Sequence, residues 1–359
     1  MKTIHNVRRP FKKAVIVATA ALASTAGLAA CGSDSGAEGS QTLVVASFGG
    51  SFDEAQTKVV VAEFEKRYDA KVKLVVAQGN QALTKLKTQG AKSGFDVVQF
   101  SGGQETEAAR LGLIAPIDPK LMPNAAKVVD QAKRNGGEYP PAYAFNTTGI
   151  LYNTEKVKTA PTSWDDLGDP KYKGRVGLPD ISVTAGLNLL LSLAHMNGGD
   201  ENNVDPGFTA LKKIVPDAYT VYRDGPTMTQ LFAQNQIVMG VFDSGYGYLL
   251  NKQQGLPVKF SIPSEGAVLY GLVADVVKGS KQAKLAQQFV DLMLDPEIQV
   301  AFAKEAGYTP TSSEAELPAD LAEALPIQSA LDRMFTTDPE VVNAGRPKWT
   351  EEWNQVVAK

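Results

Sequence analysis

The sequence predicts an α/β protein with two domains. Segments with strand-like and helix-like patterns alternate from Thr42 onward. The alternation restarts near Thr148, with different residues at the breaks between segments. The chain has 359 residues, which is enough for two cores at about 100 to 200 residues per domain. Polar and glycine-rich turns follow several predicted strands, and open α/β sheets bind ligands beyond the carboxyl ends of their strands. A ligand site at these turns is therefore expected.

The first domain begins with an apolar, β-branched run over 42–48, followed by Gly49-Gly50. Ser51 with Glu54 three residues later predicts a helix capping box. The segments that follow are predicted as a strand over 71–76, a helix over 81–89, a strand over 95–100 and a helix over 105–111. This alternation is typical of a parallel sheet covered by helices on both faces.

The second domain is predicted to start near Thr148, between two short strands at 143–145 and 149–153. Its predicted helices follow Ser163 and Pro226 and cover 184–196, 208–214, 246–253, 281–294 and 297–306, and its predicted strands cover 237–242 and 270–277.

The N-terminal 30 residues have the composition of a signal peptide. Five basic and no acidic residues precede an uncharged apolar run over 14–30, which is shorter than the roughly 20 residues that cross a bilayer. Leu28-Ala29-Ala30-Cys31 resembles the bacterial lipobox, which implies cleavage before Cys31 and acylation of its sulfur. A flexible tether over 31–41 is expected next. Arg8-Arg9 leaves both the general and the twin-arginine export route open.

Composition and missing motifs argue against several classes of function. The formal net charge is −3 and becomes more negative without the basic leader, so no nucleic acid partner is expected. The mature chain keeps one histidine, His195, which we interpret as a core residue, and we expect no metal and no cofactor. Nucleophile-elbow, P-loop and dinucleotide motifs are missing. We expect no enzymatic activity; an exported hydrolase is the alternative from another class.

Six short motifs occur in order along most of the mature chain: Phe48-Gly49-Gly50-Ser51; Phe95-Asp96-Val97-Val98 with Ser101; Gly112-Leu113-Ile114 before Pro116; 162–167; 170–174; and 307–311. Their order resembles the family 1 extracellular solute-binding proteins of ABC importers, within them the spermidine/putrescine-binding branch. This resemblance implies a two-lobed periplasmic-binding-protein fold of type II. Each lobe would be a mixed, mainly parallel sheet flanked by helices, with the ligand cleft between the lobes.

The resemblance also implies an organisation and a set of partners. Crossings near Thr148 and Tyr270 would make both lobes discontinuous: 42–147 plus 271–309 form lobe 1, and 148–270 plus 310–359 form lobe 2. The expected protein is a monomer on the extracytoplasmic side of the membrane, anchored through Cys31. It would deliver a small-molecule solute to an ABC permease in the cytoplasmic membrane.

Carried over position by position, the family's site implies the turn Phe48-Gly49-Gly50 together with Ser101, Asp243, Tyr246, Tyr270 and Tyr308. Polyamine binders place a carboxylate against each amine, but the corresponding positions here are Ile181, Thr184 and Leu272. Only Asp180 and Asp243 remain as candidate amine partners.

An acidic group of the solute has its own candidate residues. Ser182 and Thr184 stand at a predicted helix start, whose free N–H groups suit a carboxylate or a phosphonate. We therefore expect a monoamine or a zwitterion, such as an amino acid or an opine, rather than spermidine. An anion or phosphonate receptor and a ferric-ion receptor of the same fold are alternatives. The ferric-ion hypothesis is disfavoured because Tyr246 and Tyr248, two residues apart on a helix, face different ways.

Overall fold

The computed structural model describes residues 41–358. The predicted signal peptide, Cys31 and all but the last residue of the tether lie outside the described residues. Within the described part, no helix combines the length and apolar character needed to cross a bilayer.

Strands and helices alternate through most of the described chain. The strands are β1 (Thr42–Ser47), β2 (Lys71–Val76), β3 (Val97–Phe100), β4 (Ala144–Asn153), β5 (Val176–Pro179), β6 (Thr220–Tyr222), β7 (Met239–Asp243), β8 (Val258–Ser261), β9 (Leu269–Val276) and β10 (Thr309–Pro310). The α-helices are α1 (Gly50–Gln56), α2 (Ala62–Tyr68), α3 (Gly79–Gln89), α4 (Gln104–Arg110), α5 (Thr184–Met196), α6 (Asp205–Ile214), α7 (Gly225–Ala233), α8 (Ser244–Gln254), α9 (Ala283–Met293), α10 (Pro296–Ala306), α11 (Ala319–Ala324) and α12 (Pro339–Val357).

The strands form one sheet in the order β2-β1-β3-β9-β4-β7-β5-β6, with β8 and β10 also paired to β4. At one end β1 lies parallel to both β2 and β3, and at the other end β5 lies parallel to both β6 and β7. The two sets are joined through β9 and β4, which run antiparallel to their neighbours. The predicted alternation of parallel strands and helices is thus present in both halves of the sheet.

The prediction of two short strands before and after Thr148 is wrong, because β4 is one continuous, fully buried strand. The polar run Asn146-Thr147-Thr148 does not interrupt it, since the buried side chains have hydrogen-bond partners. Thr147 Oγ1 donates to the Val268 carbonyl oxygen at 2.8 Å, and Asn146 Oδ1 accepts from Ser244 Oγ at 2.8 Å. The partner of β4 changes along its length: 144–147 pair with β9, and 148–152 pair with β7.

The predicted capping box at Ser51 and Glu54 is also wrong. Helix α1 begins at Gly50, two residues earlier than an N-cap at Ser51 requires, and its N-cap is Gly49, which has a φ of 84° and offers no side chain. The side chain of Asp53 instead accepts a hydrogen bond from the Gly49 N–H at 3.0 Å. The carboxylate of Asp53 therefore takes the role that the predicted capping box gave to Glu54, which is to accept from the N–H of the N-cap residue.

Helix α5 covers the predicted residues 184–196 and lies in the core, with 185–194 all buried. It packs closely on α6, since a methyl group added to Gly207 would lie 2.6 Å from the Leu190 carbonyl oxygen. His195, at the end of α5, is not the core residue that we predicted. It is exposed, and its ring stacks on Phe335 with the centroids 4.0 Å apart.

Candidate functional site

Two neighbouring cavities border the central strands β4 and β9, where Asn146, which lines one cavity, pairs directly with Tyr270, which lines the other. The smaller one, here called the aromatic cavity, has a volume of about 110 Å³ and is lined by residues that include Phe52, Asn146, Asp243, Tyr246 and Tyr308. The larger one, here called the polar cavity, has a volume of about 660 Å³ and is lined by residues that include Ser101, Glu105, Thr184, Asn188, Tyr270 and Arg346.

Asp243 is the acidic group of the aromatic cavity. It ends β7 and stands at the N-cap of α8, where its Oδ1 accepts from Thr148 Oγ1 at 3.1 Å. Burial raises the pKa of Asp243 to about 6, against the opposing effect of hydrogen bonds from the Tyr270 and Thr148 hydroxyls. No cation of the described chain acts on this carboxylate. Because buried charges in proteins are normally paired, a cation from outside the protein would complete the site.

Three aromatic rings also line this cavity, those of Phe52, Tyr246 and Tyr308. Tyr308 stacks on Phe302 with a centroid separation of 5.9 Å and meets Phe52 edge-on at 5.8 Å. Tyr246 meets Phe242 edge-on at 4.8 Å. Such packing fixes the orientation of the rings, and the faces of aromatic rings attract cations. Burial also raises the pKa of Tyr308, which keeps its hydroxyl neutral.

Glycines set the shape of the aromatic cavity at two points. A methyl group on Gly225 would lie 2.5 Å from the ring of Tyr246, and one on Gly245 would lie 2.6 Å from the Gly307 carbonyl oxygen. The backbones at the start of α8 and the end of α10 therefore touch at Gly245 and Gly307, directly beside the cavity. A side chain at either position would force these elements apart.

The polar cavity collects four of the predicted site residues, Ser101, Ser182, Thr184 and Tyr270. Hydrogen bonds connect it to the aromatic cavity. Asn188 Nδ2 donates to Thr148 Oγ1 at 3.1 Å, and Thr148 in turn donates to Asp243. The hydroxyl of Tyr270, which lines the polar cavity, also acts on the pKa of Asp243 and opposes the effect of burial. Asn146 of the aromatic cavity also pairs with Tyr270 of the polar cavity across β4 and β9, so the two cavities adjoin.

Four predicted residues line neither cavity. Three of them are Phe48, Gly49 and Gly50; the ring of Phe48 packs edge-on against that of Phe52, which does line the aromatic cavity, with the centroids 4.9 Å apart. Asp180 already has partners: its Oδ1 accepts from the Ser182 N–H at 2.9 Å, and its Oδ2 lies 3.5 Å from Arg223 Nε. Burial acts to raise the pKa of Asp180, but the hydrogen bonds from Ser182 and the charge of Arg223 outweigh it and leave the pKa below its usual range.

The two candidate iron-binding tyrosines diverge, as expected. Tyr246 lines the aromatic cavity, whereas the hydroxyl of Tyr248 donates to the Lys304 carbonyl oxygen at 3.1 Å.

The structure adds cavity residues that the sequence reasoning missed, namely Phe52, Glu105, Asn146, Asn188 and Arg346. Glu105 follows the Ser101-Gly102-Gly103 turn closely enough that its position after β3 could have indicated a role. Arg346 lies in α12, a helix that interior Pro347 conceals from pattern analysis.

Comparison with known proteins places the chain in a family. A sequence profile described as "Bacterial extracellular solute-binding protein" matches residues 60–327. The chain is 25% identical to spermidine/putrescine-binding periplasmic protein 1 of Haemophilus influenzae over 283 residues, which cover 75% of this chain and 77% of that protein. It is also 25% identical to the gamma-aminobutyric acid-binding protein of Pseudomonas aeruginosa over 305 residues, or 81% of this chain and 83% of that protein.

The solved structure of the spermidine/putrescine ABC transporter substrate-binding protein of Streptococcus pneumoniae has the same fold, with a TM-score of 0.73 and 21% identity over 89% of this chain and 98% of that chain. The two-lobed periplasmic-binding-protein fold of type II, with a mixed sheet and flanking helices, is thereby confirmed. The resemblance to the spermidine/putrescine-binding branch is confirmed as well. The chain belongs to the bacterial extracellular solute-binding proteins, which are binding components of transport systems and not enzymes.

Proposed function

We propose that this protein is the receptor of an ABC importer for a small solute that carries an amine, from the polyamine, monoamine, amino-acid or opine class. The observation that carries this proposal is Asp243, a half-buried carboxylate without a cationic partner among the described residues, in a cavity lined by Tyr246 and Tyr308. A carboxylate and aromatic faces together suit an ammonium group. The names of the two relatives support the same class, since spermidine, putrescine and gamma-aminobutyric acid all contain a primary amine.

A thermal-shift comparison tests this proposal. Putrescine, butylamine and amino acids, with butane-1,4-diol as the neutral counterpart of putrescine, would be added to the purified mature protein. A ligand at 100 times its dissociation constant adds about 2.7 kcal/mol to the free energy of unfolding. We expect amines to raise the melting temperature and the diol to leave it unchanged. Equal stabilisation by putrescine and the diol would contradict an ammonium site.

We further propose that the lobes are 42–147 plus 271–309 and 148–270 plus 310–359, and that they close on the solute. The change of partner along β4, from β9 to β7 between Thr147 and Thr148, supports a boundary there. Hinge closure around the ligand is common in proteins of this architecture. X-ray scattering should give a smaller radius of gyration with bound solute, and an unchanged profile at saturation would count against the hinge.

The remaining part of the proposal concerns location and delivery. The sequence around Cys31 supports a lipoprotein held on the extracytoplasmic side, near the permease that receives the solute, and we propose that this lipoprotein is a monomer. Acyl chains contribute about 0.8 kcal/mol per buried methylene, so two or more chains anchor a protein firmly. Cys31→Ser should move the protein from the membrane fraction to the soluble fraction. Wild-type protein found entirely in the medium would contradict the anchor.

A further inference from the structure

Arg346 stands out among the basic residues because it lines the polar cavity without a partner. It is half-buried in α12, and burial lowers its pKa with no charged group of the described chain opposing the effect. The other half-buried arginines within 41–358 are bonded: Arg134 lies 2.7 Å from Asp275, and Arg175 donates to the Asn235 carbonyl oxygen at 2.7 Å. A partly desolvated guanidinium with no partner is a binding group for an anion.

The cavity does not neutralise this guanidinium itself. Of the side chains that line it, those of Glu105 and Arg346 carry a formal charge. Glu105 forms no ion pair in the described chain, and its Oε2 is buried without a hydrogen-bond partner. Burial raises the pKa of Glu105, and the charged groups that also act on this pKa are Arg134 and Asp275. Glu105 and Arg346 therefore do not pair with each other, and each is left to interact with another group.

The first turn of α5 adds further donors to the same cavity. Ser182 and Thr184 line it, and Val183 at the N-cap of this 13-residue helix makes no side-chain capping bond. Helix N-termini favour anions because their first N–H groups lack acceptors within the helix. The amides of Asn188 and Asn343 complete a lining rich in hydrogen-bond donors.

We propose that the polar cavity holds the carboxylate end of the solute through a charge-assisted hydrogen bond from Arg346. The solute is then a zwitterion of the amino-acid or opine class, with its ammonium group at Asp243. Its two ends lie in the two adjoining cavities, which meet where Tyr270 of the polar cavity pairs with Asn146 of the aromatic cavity. This inference rests on the proposed amine site and narrows it to one class of solute.

The test compares 4-aminobutanoate and 6-aminohexanoate with the alkylamine and the diamine of equal chain length. Binding would be measured by calorimetry for the wild type, Arg346→Gln, Arg346→Lys and Asp243→Asn. Arg333→Gln is the matched control, because Arg333 is exposed and lies outside the cavity. Thermal melting of each variant without ligand establishes that it is folded.

We expect the wild type to prefer an amino acid over its matched amine and over its matched diamine. Arg346→Gln should lower the affinity for the amino acid roughly 10- to 100-fold, which is the range for a hydrogen bond to a charged group. Arg346→Lys should keep part of this affinity. The same Arg346→Gln change should leave the monoamine unaffected and strengthen the diamine, because a repulsive charge is removed. A purely structural role of Arg346 would weaken all three ligands alike.

Two results would overturn this inference while the proposed function stands, provided that Asp243→Asn still abolishes amine binding. One is a wild-type protein that prefers the diamine. The other is Arg346→Gln protein that binds the amino acid as tightly as the wild type does. Tighter binding of 3-aminopropylphosphonate than of 4-aminobutanoate would overturn the carboxylate assignment. A wild-type protein that binds no member of the series contradicts the proposed function itself.

Discussion

The two cavities that border β4 and β9 differ in size and in chemistry. The aromatic cavity has about 110 Å³, rigidly packed rings and one carboxylate, Asp243. The polar cavity has about 660 Å³, many neutral hydrogen-bonding groups, and both an acid and a base, Glu105 and Arg346. The smaller space suits one ammonium group, whereas the larger space has room for the remainder of a solute. The difference suggests that the small cavity recognises what all amines share and the large cavity distinguishes among them.

The largest expected effect on this comparison comes from Asp243→Asn. The substitution keeps the shape of the aromatic cavity and removes its charge, so the affinity for the best amine should fall roughly 10- to 100-fold, or about 1.4 to 3 kcal/mol. Calorimetry with the amine that stabilises the protein most would measure it. Asp180→Asn is the control, because Asp180 is paired with Arg223 and lines neither cavity. An equal loss in both variants would mean that the charge of Asp243 has no special role.

The second prediction concerns stability without ligand, where Asp243 should have the opposite effect. Its pKa in the fold is about 6, above the ordinary value of 3.8. Between these values the folded chain binds more protons than the unfolded chain, so the free energy of unfolding falls as the pH rises from about 4 to about 6. Above pH 6 the ionised carboxylate lowers the free energy of unfolding by about 1 to 3 kcal/mol.

Asp243→Asn should therefore unfold at a higher temperature than the wild type at pH 7, and the difference should vanish near pH 4. Melting curves over this pH range, without ligand, would measure it. The shifted pKa values of other groups cancel in the difference between the two proteins. A difference in melting temperature between the two proteins that stays constant at every pH would show that Asp243 does not titrate in this range.

A smaller effect is expected at the contact between Gly245 and Gly307. Gly245→Ala would place a methyl group 2.6 Å from the Gly307 carbonyl oxygen. Overpacking of this kind costs about 1 to 3 kcal/mol, and displacement of α8 should weaken amine binding about tenfold through the lost cavity shape. Gly168→Ala is the matched control, because its nearest added contact is an ordinary 3.7 Å to Ile214. Unchanged affinity in Gly245→Ala would show that the cavity tolerates movement of α8.

The elements that the sequence predicted correctly have an uninterrupted pattern of apolar residues. The elements that it missed depend on contacts with residues far along the chain. Helix α5 is apolar over its whole length, and its predicted bounds agree with the structure. Strand β4 was predicted as two strands, because the hydrogen-bond partners of its central polar residues are visible only in the folded protein. The short strands β5, β6 and β8 were not predicted, since three or four residues carry too little periodic signal.

The candidate site was predictable where position after a strand was informative, as for Ser101 and Asp243. It was not predictable at Asp180, because only the structure shows that Arg223 already pairs with this carboxylate. Arg346 could not have been found either, since its position opposite other cavity residues depends on the packing of α12 and not on any local motif.

The central claim, that an ammonium group binds at Asp243, is tested most directly by counting the protons released on binding. An ammonium group beside Asp243 stabilises the carboxylate and lowers its pKa, so at pH 6 a half-protonated Asp243 loses its proton. Calorimetry with the best amine, in two buffers of different ionisation enthalpy, should show about half a proton released per solute bound by the wild type and close to none by Asp243→Asn. Identical heats in both buffers for the wild type, or equal release by the two proteins, would contradict this assignment.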